Sequence, residues 1–447
     1  MAALGLSGGD PTLDTLFPGA SSAVEWGLVR MEAALAEVGN PHHAYRCLHV
    51  GGTNGKGSVA STWASVLQKS GERVGLYTSP HLCSFRERIM VDGAPLEVAR
   101  LKEGARRLRP LAEDLGMSLF EACTLLALVM FAEEEVTCAS IEVGLGGRLD
   151  ATNVIVPEVT AITNVALDHQ EYLGDSLADI AREKAGIIKP GVPLVTAEGR
   201  PAVLGVLRDR ARAVGAPVHL VEPWGHLSDL RLGRGGTRFT LHSRRWGPVE
   251  LETPLPGAHQ ATNAALAIRA LERIDRPPPL DAVRDGVAGV RWPGRGQIHR
   301  IGERLFVFDV AHNRAAVAAL VRTLADLAPP RPLVVLAGIL GDKDWSRMLP
   351  PLVDLADRVV FTIPASAPRE RLWDPRAVAR VVRGGVPIET EEDLTLAVRR
   401  AESLARGGTV VVTGSCHTVG DVLEVLGVDP FADGRDPAEP SSACVQD

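Results

Sequence analysis

The chain has 447 residues, of which 45% are apolar, and a formal charge of −7. That length calls for two or three cores of roughly 100–200 residues each, and so mild a charge makes no electrostatic case for a nucleic-acid or membrane partner. No apolar run approaches the ~20 residues of a bilayer span, and the start of the chain lacks a secretory pattern, so a cytoplasmic location is expected.

A short apolar run, Cys47 to Val50, enters the glycine-rich stretch Gly51-Gly52-Thr53-Asn54-Gly55-Lys56-Gly57-Ser58, and a helical pattern (Val59, Trp63, Val66, Leu67) leaves it. Strand, loop and helix in that order aim backbone N–H groups and a helix N-terminus at an anion, with Lys56 adding a mobile positive charge. The common form of this phosphate cradle has Ser or Thr directly after the lysine as a magnesium ligand. Here Gly57 stands in that place, so the metal-binding oxygen must come from elsewhere.

Further along, Val74 to Tyr77, Ala139 to Val143, Val159 to Val165 and Pro193 to Val195 read as strands, with helices such as Phe120 to Glu134 and Leu177 to Lys184 between them. This alternation predicts a parallel sheet covered by helices. Residues 228–252 read as a small antiparallel patch, and 257–273 as helix. The Pro/Gly-bearing turn Arg291 to Gly296 suggests a domain boundary. Beyond it Leu305 to Phe308, Pro332 to Leu336, Arg358 to Phe361 and Thr409 to Thr413 form a second alternating series. The expected fold class is therefore α/β: a P-loop ATPase-type parallel-sheet domain over 1–296, a smaller Rossmann-like domain over 297–430, and a disordered tail over 431–447. The six cysteines are scattered without paired spacing, which indicates neither a zinc site nor a disulfide framework.

Ligands of parallel sheets gather at the carboxyl ends of the strands. Ser79, in Thr78-Ser79-Pro80-His81, is either part of a Ser-Pro turn or a hydroxyl able to reach a metal over the phosphates. Glu142 ends an apolar run beside a glycine-rich turn, where a carboxylate is costly unless paired or metal-bound. Asp168-His169 follows the next strand, and imidazole is a common metal ligand. Lys184 reads as a solvated helix lysine paired with an acid one turn before, and nothing in its spacing overturns that. In the second series Asp309 to Asn313 and Thr413-Gly414-Ser415 repeat the strand-end placement, the latter also reading as a helix cap.

Taken in order, Gly52 to Ser58, Thr78 to Leu82, Glu142 to Asn153 (EVGLGGRLDATN), Asp168-His169, Glu183 to Gly186, Trp292 to Arg295 and Asp309 to Asn313 resemble the Mur ligase superfamily, specifically its folylpolyglutamate synthase branch with the bifunctional dihydrofolate synthase form. The resemblance implies that Thr53, Asn54, Gly55, Lys56, Gly57 and Ser58 hold the ATP phosphates, with Asn263, Arg295 and Asp309 on the far side of the nucleotide. It implies two Mg2+ ions bound by Ser79, Glu142, His169 and Lys184, the lysine carbamylated. Lys56, Lys184 and His312 would be the catalytic groups. His312, Ser415 and Arg88 would serve the glutamate side. Ser118, Leu119, Phe120, Glu121, Leu149, Asp150 and Ala151 would line the pterin side. Arg314 and Cys416-His417 depart from the usual pattern near the glutamate positions.

The implied reaction joins L-glutamate to dihydropteroate or folate through an acyl phosphate, in a monomer with small-molecule substrates only. The second domain would close over the first to exclude water. A Mur-type ligase of cell-wall precursors and a non-catalytic nucleotide-binding regulator are the alternatives.

Overall fold

The computed structural model describes residues 13–18, 20–21, 26–222, 226–382 and 384–431. All but the first residue of the expected tail lies outside them. The chain divides into two compact units: residues 1–231, 237–254 and 258–291 form the first, and residues 232–236, 255–257 and 292–447 the second.

The first unit is built on β1 (Arg46–Gly51), β2 (Val74–Tyr77), β3 (Ile89–Val91), β4 (Ala94–Pro95), β5 (Cys138–Glu142), β6 (Val159–Ile162), β7 (Leu194–Thr196) and β8 (Val218–Leu220). They form one eight-stranded sheet in the order β4-β3-β2-β5-β1-β6-β7-β8. From β2 to β8 all neighbours are parallel. The hairpin β3–β4 adds two antiparallel strands at one edge, which the alternating apolar runs alone do not predict. β1 lies between β5 and β6, with β2 beyond β5, so the chain leaves β1 toward one side and later returns to its other side. Such a switch of direction opens a crevice at the carboxyl end of the central strand.

Apolar content explains the layers. Helix Leu119–Glu133 is apolar around its whole circumference and almost wholly buried, as a helix enclosed on all sides must be. Its residues share a core with Tyr77, Ala139 and Ile141 of the sheet and with Leu101, Ala105 and Leu108 of helix Val98–Asp114. On another flank, helix Lys56–Lys69 buries Trp63 completely, and the indole Nε1–H donates to Ala267 O at 2.9 Å. Ser65 Oγ donates to Gly286 O at 2.6 Å. These bonds fix the helix after the glycine-rich loop against helices Ala258–Leu271 and Leu280–Ala288. The antiparallel patch is β9 (Leu227–Gly233), β10 (Gly236–Ser243) and β11 (Gly247–Thr253), in the order β11-β10-β9.

The second unit holds β12 (Arg295–Ile301), β13 (Arg304–Asp309), β14 (Leu333–Ala337), β15 (Arg358–Phe361), β16 (Ile388–Thr390) and β17 (Thr409–Thr413), a six-stranded sheet in the order β12-β13-β17-β14-β15-β16. β12 is antiparallel to β13, and the other pairs are parallel. The molecule is thus an α/β protein with a large mostly parallel sheet and a second, mixed sheet. Cys47, Cys83, Cys123, Cys138 and Cys416 are all free thiols. Among the described residues no helix is long and apolar enough to cross a membrane.

Candidate active site

The glycine-rich loop leaves β1 and enters helix Lys56–Lys69 through Gly55, whose φ of +87° places it in the left-handed region. A Cβ there would stand 2.6 Å from Asn263 Oδ1, so only glycine lets the loop pass this side chain. Asn263 is itself held by Gln260 Oε1, to which its Nδ2 donates at 3.0 Å.

Lys56 Nζ folds back over its own loop, donating to Thr53 O at 3.3 Å and lying 3.8 Å from Glu142 Oε1. The other carboxylate oxygen, Glu142 Oε2, accepts from Ser79 N at 3.3 Å. Three strand ends, of β1, β2 and β5, therefore converge: the residues expected from separate stretches of sequence meet at one buried carboxylate. Lys184 comes in from helix Leu177–Ala185 and donates from Nζ to Gly52 O at 2.9 Å. It is buried, not the solvated lysine that spacing alone indicates. Burial, reinforced by the charge of Lys56, pulls its amine down to about 7 against the attraction of Asp168 and Asp150. His169 is about one-third exposed, with Nε2 3.8 Å from Asp168 Oδ1.

Arg88 closes a tight turn in which Glu87 accepts from the N–H groups of Leu82, Cys83 and Ser84 at 2.8–2.9 Å. Its Nε donates to His81 Nδ1 at 2.9 Å. Of the residues expected on the pterin side, Ser118 and Glu121 form a capping box, and the Glu121 carboxylate also takes Arg30 Nε at 3.1 Å. Leu119, next to this cap, donates its N–H to Ser21 O at 2.9 Å. Phe120 lies over Gly144, where a Cβ would come 2.3 Å from the ring. Asp150 is buried and turned inward, accepting from Leu145 N at 2.8 Å and Thr152 N at 3.0 Å as well as from Thr152 Oγ1. Leu149 and Ala151 flank it in the same loop.

In the second unit β12 and β13 pair Arg295 with Asp309. Burial pushes the Asp309 carboxyl up to about 6, against the pull of Arg295, the Ala311 and Gly296 N–H groups and His312. Arg295 lies over the Trp292 ring, 5.7 Å from its centroid. His312 Nδ1 is 2.9 Å from Val310 O. A carbonyl only accepts, so Nδ1 carries a proton, and whenever the ring is neutral its lone pair is on Nε2. Ser415 Oγ accepts from Thr418 N at 3.0 Å and caps helix Cys416–Leu426. Thr418 gives its hydroxyl proton to Gly338 O, so the Ser415 hydroxyl proton goes to Thr418 Oγ1.

Known proteins match this arrangement along nearly the whole chain. Residues 50–271 match the Mur ligase middle domain, and residues 294–416 the Mur ligase glutamate ligase domain. A dihydrofolate synthase/folylpolyglutamate synthase of Mycobacterium tuberculosis is 35% identical, with 94% of this chain and 93% of the relative aligned. The chain belongs to the folylpolyglutamate synthase/dihydrofolate synthase family of Mur ligases. A crystal structure of M. tuberculosis folylpolyglutamate synthase complexed with ADP and AMPPCP superposes on this ligase with a TM-score of 0.84 at 35% identity, covering 90% of this chain and 96% of that one. The Escherichia coli protein FolC in complex with DHPP and ADP gives 0.80 at 31% identity, covering 93% and 96%.

One residue that braces the site of this ligase escapes sequence reasoning. Asn164, just beyond β6, donates from Nδ2 to Asn54 O at 2.8 Å and accepts from Asn54 N at 3.2 Å. Thr53 Oγ1 accepts from Ala166 N at 2.9 Å, and Thr53 N donates to Asn164 O at 2.8 Å. The glycine-rich loop is thus stitched to the segment after β6. Asn164 stands two residues past the end of β6, inside the run Val159 to Val165 that reads as strand, so its strand-end placement is visible only once the strand's end is known. Among the described residues no three His, Cys, Asp or Glu side chains converge as a metal cage. The hard oxygens at hand are Glu142 and Ser79, and the buried Ser58 hydroxyl has no partner among the described residues. That donor set suits a magnesium ion arriving with a nucleotide, since Mg2+ favours one or two carboxylates, waters and substrate phosphates over an all-protein cage.

Proposed function

We propose that this ligase uses ATP to join L-glutamate to a pteroate-type acid, dihydropteroate or a folate, through an acyl phosphate. The observation that carries the reading is the Glu142 carboxylate held between Lys56 Nζ and Ser79 N at the mouth of the glycine-rich loop. Thr53 to Ser58 bind the ATP phosphates, with Asn263 beside Gly55. Ser79 and Glu142 hold magnesium, with His169 and Lys184 serving a second ion, and the metal supplies charge neutralisation at the transferring phosphoryl group. The lowered pKa of Lys184 leaves a substantial neutral fraction at pH 7, the form that adds to CO2 to give a carbamate.

A substrate carboxylate oxygen attacks the γ-phosphorus, and the bond to the bridging oxygen breaks with its electron pair on ADP. Lys56 balances charge on the phosphoryl oxygens throughout. The glutamate amine then attacks the acyl carbon, and phosphate leaves with the C–O electron pair. His312 Nε2 accepts the proton that the amine loses. In this reading the first unit handles nucleotide and acid. Arg295 and Asp309 are read as nucleotide contacts and His312 as the group that serves the glutamate.

The test is phosphate release from ATP and magnesium by the purified protein. Release should require both a pteroate-type acid and L-glutamate. Release driven by a UDP-muramyl peptide in their place would overturn the folate reading, and running dihydropteroate against tetrahydrofolate decides between one activity and two.

A further inference from the structure

One fully buried polar side chain of the first unit has no place in the chemistry above. His49 lies in the middle of β1, three residues before Gly52, and is wholly inaccessible to solvent. An imidazole there has lost its hydration, and burial pushes its pKa down to about 3, the nearby charge of Lys189 adding to the effect. The ring is neutral, and one of its nitrogens must carry a proton.

The partners decide which one. Thr152 Oγ1 gives its only proton to the Asp150 carboxylate, so toward His49 it can only accept. His49 Nε2 lies 2.9 Å from that oxygen and therefore holds the proton. Nδ1 is left with a buried lone pair and has no partner among the described residues. A histidine with one nitrogen unsatisfied is a costly choice for a strand interior, where an aliphatic residue would pack without penalty. What the ring gains is a single directed bond to a residue 103 positions away.

That bond reaches into the loop leaving β5. Glu142 ends β5, and Asp150 holds the loop's curvature from inside through Leu145 N and Thr152 N. The far end is pinned by Lys189 Nζ to Asn153 O at 2.6 Å and by Asn153 Nδ2 to Arg148 O at 2.9 Å. An acid in line with the γ-phosphate has to lie beside Lys56 and Glu142, and residues 143–153 form the wall that begins there.

The geometry points to His49 as a positioning residue for the acid substrate: through Thr152 and Asp150 it fixes the loop 144–153 relative to the strand that carries the phosphate cradle. This rests on the ligase reading above. His49→Leu and Thr152→Val each remove one end of the bond, whereas His49→Gln keeps an N–H donor at similar reach.

In the phosphate-release assay, His49→Leu should raise KM for the pteroate-type acid about tenfold, the value of one buried hydrogen bond, and Thr152→Val, which also removes the hydroxyl donated to Asp150, should raise it at least as much. KM for ATP should stay within about twofold, because Asn164 and Thr53 brace the cradle independently. His49→Gln should recover most of the His49→Leu loss, and the double variant should be no worse than Thr152→Val alone. Imidazole 15N spectra of the unsubstituted protein, with the His49 signals assigned by their loss in His49→Gln, should show Nε2 protonated and Nδ1 bare from about pH 5 to 8. Unchanged KM for the acid, or equal rises for acid and ATP, would overturn the proposal, as would a protonated Nδ1. Failure of the ligase reading looks different: the unsubstituted protein itself would not turn over.

Discussion

The carboxyl edges of the two sheets carry similar-looking residues and use them differently. At the edge of the first sheet Lys56 and Ser79 both meet Glu142 across three strand ends, and Lys184 donates into the glycine-rich loop. At the edge of the second, the Ser415 hydroxyl is spent on a helix cap and on Thr418, and Asn313 caps the helix beginning at Arg314. A polar residue after a strand is evidence for a site when its partners come from other strands. When its partner is the next turn of its own helix, local structure accounts for it.

Substitutions can break that contrast, and the largest effect belongs to the first edge. Lys56→Ala should lower kcat by about a thousandfold, as removal of a transition-state charge contact does. A drop confined to KM for ATP would mean Lys56 only binds. Lys184→Ala should cost up to about a hundredfold and regain part of the activity with acetate or another short carboxylate. In the unsubstituted protein activity should rise with pH through about 7, because the lowered pKa makes the reactive neutral amine the major form above that value. A flat profile with full activity in Lys184→Ala would refute a role for the lysine. Asn164→Leu should raise KM for ATP about tenfold through loss of the paired bonds to Asn54, measured with the acid substrate saturating.

At the second edge the expected effects are smaller. Ser415→Ala removes an N-cap worth about 1 kcal/mol, a Tm decrease of roughly 2–4 °C, with little change in KM for glutamate. A large rise in that KM would erase the contrast between the edges. Asp309→Asn tests the raised carboxyl. A folded pKa near 6 against a usual carboxylate value of 3.8 means that the folded state holds the proton more tightly, so stability falls as pH rises from about 4 to 6. The variant should therefore gain a few degrees in Tm above pH 6 and show no gain below pH 4. The opposite sign would mean that Arg295 outweighs burial.

The strands with apolar runs were legible almost to the residue: Val74–Tyr77, Arg358–Phe361 and Thr409–Thr413 stand where hydrophobicity puts them. β12 was not, because Arg-Gly-Gln-Ile-His-Arg-Ile is too polar to read as a strand and is held by pairing with β13. The β3–β4 hairpin was missed for its brevity, although Asp92-Gly93 is a turn signal. The strand-end rule brought Ser79 and Glu142 into view. It could not find the bond from His49 to Thr152 or the brace of Asn164, since both depend on partners over a hundred residues away that no local pattern encodes.

The same short hairpin bears on how the protein behaves when concentrated. A long parallel sheet ordinarily ends in a ladder of open N–H and C=O groups that invites a strand from another molecule. Here the outermost strand is two residues long and ends in Pro95, which has no N–H to offer. Filament growth from that side of the sheet lacks a template, so lengthening β4 or replacing Pro95 would be a direct route to an aggregating variant whose fold is otherwise intact.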